Sequence, residues 1–175
     1  MNNKFEYNIF LIGFMGCGKS TVSATLQELY ATEVIEMDEE IVKREGMSIP
    51  DIFRLKGESY FREVETNLLI EMQNRTNVVV SCGGGVPMRE CNVIEMKKNG
   101  KVVLLTAKPE TIYERVKDNH DRPLLENNKS VSYIAELMEK RREKYEAAAD
   151  IIIETDGKTA MEICKELADS FSTDK

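Results

Sequence analysis

The chain of 175 residues has one histidine, four scattered cysteines, no net positive charge and no long uncharged run, and each shortage excludes something. Cys17, Cys82, Cys91 and Cys164 lie 65, 9 and 73 residues apart, which matches no metal-binding or redox CxxC pair. A chain of this size has no need of disulfide staples either, so the expected compartment is the cytoplasm. His120 stands alone in a polar stretch and is assigned no role. With 24 Lys and Arg against 31 Asp and Glu the net charge is −7. That is the wrong sign for neutralising a nucleic-acid backbone, so any anionic ligand must be met locally. The longest uncharged stretches, residues 7–18 and 76–88, hold 12 and 13 residues, short of the roughly 18–20 that span a bilayer. The apolar run after Lys4 resembles a secretory signal, but Glu6 is misplaced for one and no small-residue cleavage pattern follows. No repeat, linker or low-complexity tract is visible, and the 42% hydrophobic and 31% charged content is that of an ordinary globular chain. One domain over residues 1–175 is expected, and its size suggests a monomer.

What is present is an alternation. Runs rich in β-branched and aliphatic residues at 7–12, 33–37, 77–81, 101–106 and 150–154 are separated by segments with apolar residues at helical spacing, such as Val64, Leu68 and Met72. Parallel strands cannot be joined by tight turns, so this rhythm predicts an α/β fold with five parallel strands and crossover helices on both faces. Three interruptions stand out. Residues 38–75 form a long helical insertion, with Ser48 placed to cap a helix whose first turn contains Pro50. Residues 117–129 are polar and carry Pro123, as a lid loop would. Gly83, Gly84 and Gly85 follow the third strand directly, where the backbone can approach a ligand or turn sharply at positive φ.

The segment Gly13-Phe14-Met15-Gly16-Cys17-Gly18-Lys19-Ser20 fits G-x-x-x-x-G-K-[ST] between a strand and a helix, the context that motif requires. Successive N–H groups of such a loop curl round phosphate oxygens and the helix adds the positive end of its dipole. Lys19 then reaches the terminal phosphates and Ser20 ligates Mg²⁺. ATP or GTP is the expected ligand. No guanine-reading N/T-K-x-D follows and there is no room for an ATPase partner domain, which leaves a compact phosphotransferase. Cys17 sits at a helix start, where thiolate character is favoured, although packing is the simpler account of it.

Further motifs share the order and spacing of one family. Glu36-Met37-Asp38 stands where that family has an acidic pair. Phe61-Arg62-Glu63-Val64-Glu65 matches its F-R-x-x-E, Ser81-Cys82-Gly83-Gly84-Gly85 its triple glycine, and Arg122-Pro123-Leu124-Leu125 its lid. Arg141 lies four residues before Tyr145, as the family's substrate arginine does. The chain thus resembles the shikimate kinases from about Asn8 to about Lys158. The resemblance implies a P-loop kinase fold in which ATP phosphorylates the 3-hydroxyl of shikimate with Mg²⁺ as cofactor. It places Lys19, Asp38 and Arg122 in catalysis, and Gly13, Gly16, Cys17, Gly18, Lys19, Ser20, Thr21, Arg115, Arg122 and Lys158 at ATP. Asp38, Arg62, Gly83, Gly84, Gly85 and Arg141 would hold shikimate. Ser20 would hold the metal, with Glu36 reaching it through water in place of the family's usual Asp.

The residues alone leave alternatives open. Asp38 serves equally as a helix cap or as a partner for a substrate hydroxyl. Arg62 and Arg141 suit a carboxylate or a phosphate, so a gluconate or nucleoside monophosphate kinase fits the arithmetic too. A regulatory protein that had lost turnover would have lost Arg122 or Asp38, and both are present.

Overall fold

The computed structural model describes residues 5–118 and 130–172; Arg122 and nearly all of the segment read as a lid lie outside the described residues. The five strands are β1 (Asn8–Ile12), β2 (Glu33–Glu36), β3 (Val78–Ser81), β4 (Gly100–Thr106) and β5 (Ile151–Glu154). All pairings are parallel, in the order β2-β3-β1-β4-β5. They fall within one residue of the expected positions. β1 and β3 are buried at every position because helices cover both faces, which explains their unbroken apolar runs. The edge strands are partly exposed.

The polar residue of β1, Asn8, is fully buried and satisfied. It donates to the Met72 and Arg75 carbonyls at 3.0 Å each and accepts from the Val78 N–H at 3.1 Å. This clamps the turn into β3 at the amino end of the sheet. The chain passes from β1 outward to β2, returns through β3, then crosses to the other side of β1 at β4. That reversal opens a crevice at the carboxyl ends of the strands, where open α/β sheets bind ligands. The glycine loop, Glu36 and the triple glycine all leave the sheet at that end.

Helix α1 (Lys19–Tyr30) follows the glycine loop. The insertion consists of α2 (Met37–Glu45), α3 (Ile49–Lys56) and α4 (Glu58–Glu71). Ser48 caps α3 by accepting from the Asp51 N–H. Asp38 does not hold the cap position of α2, which falls at Glu36, but lies within the helix's first turn. Arg44 ties α2 to α4 through two bonds to Glu71, of 2.7 and 2.9 Å, and Glu45 ties it to α3 through Lys56 at 2.8 Å. The remaining described helices are α5 (Glu90–Asn99), α6 (Pro109–Val116), α7 (Val131–Ala148) and α8 (Ala160–Ser172). α8 packs on α1 and α7 on α6. Among the described residues no helix is long and apolar enough to cross a membrane.

Candidate active site

The loop between β1 and α1 bends through positive φ at Gly13, Gly16 and Gly18. At Gly13 the requirement is doubled, because a Cβ there would run into the Leu105 carbonyl and lie 2.7 Å from Cys17 Sγ. Lys19 Nζ lies across the loop, donating to the Gly13 carbonyl at 2.6 Å and the Phe14 carbonyl at 3.2 Å. Arg115 of α6 donates to the Gly16 carbonyl at 2.9 Å, which places its guanidinium over the loop. Thr21 lies exposed in the first turn of α1, and Cys17 is buried beneath the loop. Lys158 is held by Glu166 of α8 at 2.8 Å. Its neighbour Asp156 accepts from the Lys108 N–H and the Thr111 hydroxyl, tying the segment after β5 to the start of α6.

Glu36, at the end of β2, meets the same loop. It accepts from Ser20 Oγ at 3.1 Å and from the buried Ser23 Oγ at 2.9 Å. Ser23 escaped the sequence reading; its signal is the three-residue spacing from Ser20, which sets both hydroxyls on one face of α1. A hydroxyl and a carboxylate are hard oxygen donors. With no cluster of three or more acidic, Cys or His ligands among the described residues, they form the sparse set that suits Mg²⁺, which keeps waters and takes phosphate oxygens as further ligands. The residues therefore fit this metal.

The triple glycine uses none of the positive φ values that its composition allows. What the turn requires is the missing Cβ, because a different side chain occupies each space. At Gly83 a Cβ would lie 2.8 Å from Glu65 Oε2 and 3.1 Å from Asp38 Oδ1. At Gly84 it would lie 3.1 Å from Arg141 Nη1, and at Gly85 it would lie 2.5 Å from Arg62 Nη1. One turn thus gathers an acid from α2, an arginine and an acid from α4 and an arginine from α7. The Gly13 carbonyl of the phosphate loop is 3.8 Å from the same Gly84 point.

Aromatic rings back the two guanidinium groups. Arg62 lies over Phe61 and Phe53, at 5.3 and 6.0 Å from the ring centroids, and Arg141 over Phe14 at 5.8 Å. Tyr145, which served the sequence reading only to fix the register of Arg141, donates to the Gly84 carbonyl at 2.6 Å and lies 3.4 Å from Arg141 Nη1. The adjacent Arg142 instead pairs with Glu139 at an exposed position.

Glu65 was read only as part of a motif. Its side chain is buried and its Oε1 accepts from Arg62 Nη1 at 2.7 Å. Burial pushes its carboxyl up to about 7, with Arg62 opposing and Asp38 adding to the rise. An apolar hollow of about 190 Å³ between the phosphate loop and α7, lined by Phe14, Cys17, Leu105, Met138 and Tyr145, contains none of the acids or glycines of this turn.

A phosphate-binding loop at the switch point of a parallel sheet, abutting a turn with two acids and two arginines, defines a small-molecule kinase of the P-loop class. Comparison with known proteins narrows it. The shikimate kinase family model matches residues 15–172. The shikimate kinase of Persephonella marina is 46% identical over 160 residues, covering 91% of this chain and 96% of that one. The structure of shikimate kinase from Acinetobacter baumannii in complex with shikimate superposes with a TM-score of 0.90 at 33% identity, covering 97% of this chain and 94% of that one. The Aquifex aeolicus shikimate kinase structure gives 0.81 at 41% identity, over 94% and 96%. The chain belongs to the shikimate kinase family.

Proposed function

We propose that the chain transfers the γ-phosphoryl group of ATP to the 3-hydroxyl of shikimate. The observation that carries this reading is the turn at Gly83, Gly84 and Gly85, which collects Asp38, Arg62 and Arg141 beside the phosphate loop. The two guanidinium groups take the substrate carboxylate, each offering paired N–H donors that match its oxygens. Asp38 orients the hydroxyl and accepts its proton as the oxygen attacks the γ-phosphorus; the bond to the bridging oxygen breaks and ADP leaves.

Lys19 leaves the Gly13 and Phe14 carbonyls for the phosphates, and the loop N–H groups of Gly13, Gly16, Cys17 and Gly18 hold the phosphate oxygens. Thr21 extends that grip at the helix start. Arg115 and Lys158 flank the adenine. Arg122, which lies outside the described residues, would supply a further positive charge to the transferring group, as the family's lid arginine does. Ser20 and Glu36 would hold Mg²⁺, which when bound neutralises charge building on the phosphates. Positioning and charge stabilisation supply the catalysis, since this chemistry needs no covalent help.

The test is ADP release with Mg²⁺·ATP and shikimate, with gluconate and AMP in parallel and Arg62→Ala as control. Saturable turnover with shikimate alone, lost in the variant, supports the reading. Turnover with gluconate or AMP instead overturns the assignment of Arg62, Arg141 and Asp38.

A further inference from the structure

Glu65 has no part in the steps above, yet it lies at the centre of the substrate side. It is fully out of solvent. Oε1 is committed to Arg62 at 2.7 Å, while Oε2 finds no hydrogen-bond partner among the described residues and points at Gly83 beside Asp38. A buried anionic oxygen without a donor is costly, and a second carboxylate over the same glycine adds repulsion.

The surrounding charges are few. Arg62 comes from α4 itself and Asp38 from α2. Cys82, at the end of β3, is a buried thiol held neutral by desolvation. Arg89, before α5, is committed to Glu63 at 2.8 Å and Thr66 at 3.1 Å. Arg141 and Tyr145 of α7 approach at the next glycine. Arg62 is therefore the only cation bonded to Glu65 among the described residues, and it is the cation that the proposed function assigns to the substrate carboxylate.

We propose that substrate capture is proton-linked at Glu65: as the substrate carboxylate takes over the Arg62 guanidinium, Glu65 takes a proton from solvent, forming an O–H bond at Oε2, and stays in the site as a neutral acid. The inference rests on the reading that Arg62 receives the carboxylate. The upward displacement of the Glu65 carboxyl already puts it near half protonation at neutral pH. A second anion on Arg62 raises it further. A neutral Glu65 also removes its repulsion of Asp38.

The test is isothermal titration of shikimate onto the full chain at pH 7 in Pipes and in Tris, whose ionisation enthalpies differ widely. The expected result is uptake of about half a proton at pH 7, with Kd weakening by up to about tenfold per pH unit above it. Below about pH 5.5 the uptake vanishes because Glu65 is already protonated. In Glu65→Gln the uptake is lost and Kd no longer changes with pH across this window.

Zero uptake by the unmodified chain between pH 6.5 and 8 overturns the proposal, whether or not the variant folds. Uptake that persists in Glu65→Gln overturns the assignment to this residue. Arg62→Ala separates the two readings: weakened shikimate binding there keeps the carboxylate assignment standing even if the proton linkage fails, and unchanged binding overturns both.

Discussion

Replacing Gly85 by Ala tests the construction of the site with a single methyl group. Gly85 has φ −88° and ψ −6°, a conformation any residue adopts, so the substitution adds no backbone strain. The new Cβ would lie 2.5 Å from Arg62 Nη1 and 2.8 Å from Cζ and Nη2. Non-bonded atoms settle at about 3.5 Å, so the guanidinium must retreat by about 1 Å. It is the far end of a flexible side chain, and the move costs the fold little. What it costs is aim: losing one of two charge-assisted bonds to a carboxylate amounts to about 1.5–3 kcal/mol. That corresponds to about a ten- to hundredfold rise in KM for shikimate. ADP release at varied shikimate measures it, with nucleotide affinity and melting temperature unchanged as controls. A KM within threefold of the parent, in a variant that melts normally, would refute the assignment of the Gly85 space to Arg62. Gly84→Ala is a graded companion: its Cβ meets Arg141 Nη1 at 3.1 Å, a milder conflict, so its KM effect should be smaller.

Glu36→Gln weakens the acceptor shared by Ser20 and Ser23, and the Mg²⁺ concentration for half-maximal activity should rise about tenfold while shikimate affinity holds. Gly13→Ala puts a Cβ into the Leu105 carbonyl at a φ of +145°, so ATP binding should be lost with at least about 1–3 kcal/mol of stability, read by calorimetry. Tyr145→Phe leaves the Gly84 carbonyl without its 2.6 Å donor; a cost of about 1–3 kcal/mol is expected, with a several-fold rise in shikimate KM. Burial raises the Glu65 carboxyl from 4.5 to about 7 on folding. The folded state therefore binds the extra proton, so this contribution to stability is fully present below about pH 4.5 and lost as pH rises through about 7. The full loss is about 3 kcal/mol. Denaturant melts of the unliganded chain at pH 5 and pH 8 should show it, and Glu65→Gln should flatten the difference.

Strand positions and the phosphate loop were legible in the sequence because both are local. Buried parallel strands read as unbroken apolar runs, and a glycine loop between strand and helix carries its own signature in eight residues. Ser48 capping α3 was legible for the same reason, since a cap and its acceptor lie three residues apart. The sequence also named Asp38, Arg62 and Arg141, but only through the order of motifs; by position alone Asp38 passes equally for a helix cap, and each arginine for a solvated charge on a helix.

The tertiary structure decided what those residues share. The sheet order sets β3 beside β1, so the turn at Gly83 to Gly85 meets the phosphate loop, and three helices bring four side chains to its three missing Cβ positions. The glycines are there for that crowding and not for positive φ, a distinction that composition cannot make. Glu65 depends most on the fold. In sequence it is one acid among 31 acidic residues. Desolvation and the approach of Asp38 give it a proton near neutral pH, and both exist only once the chain has folded.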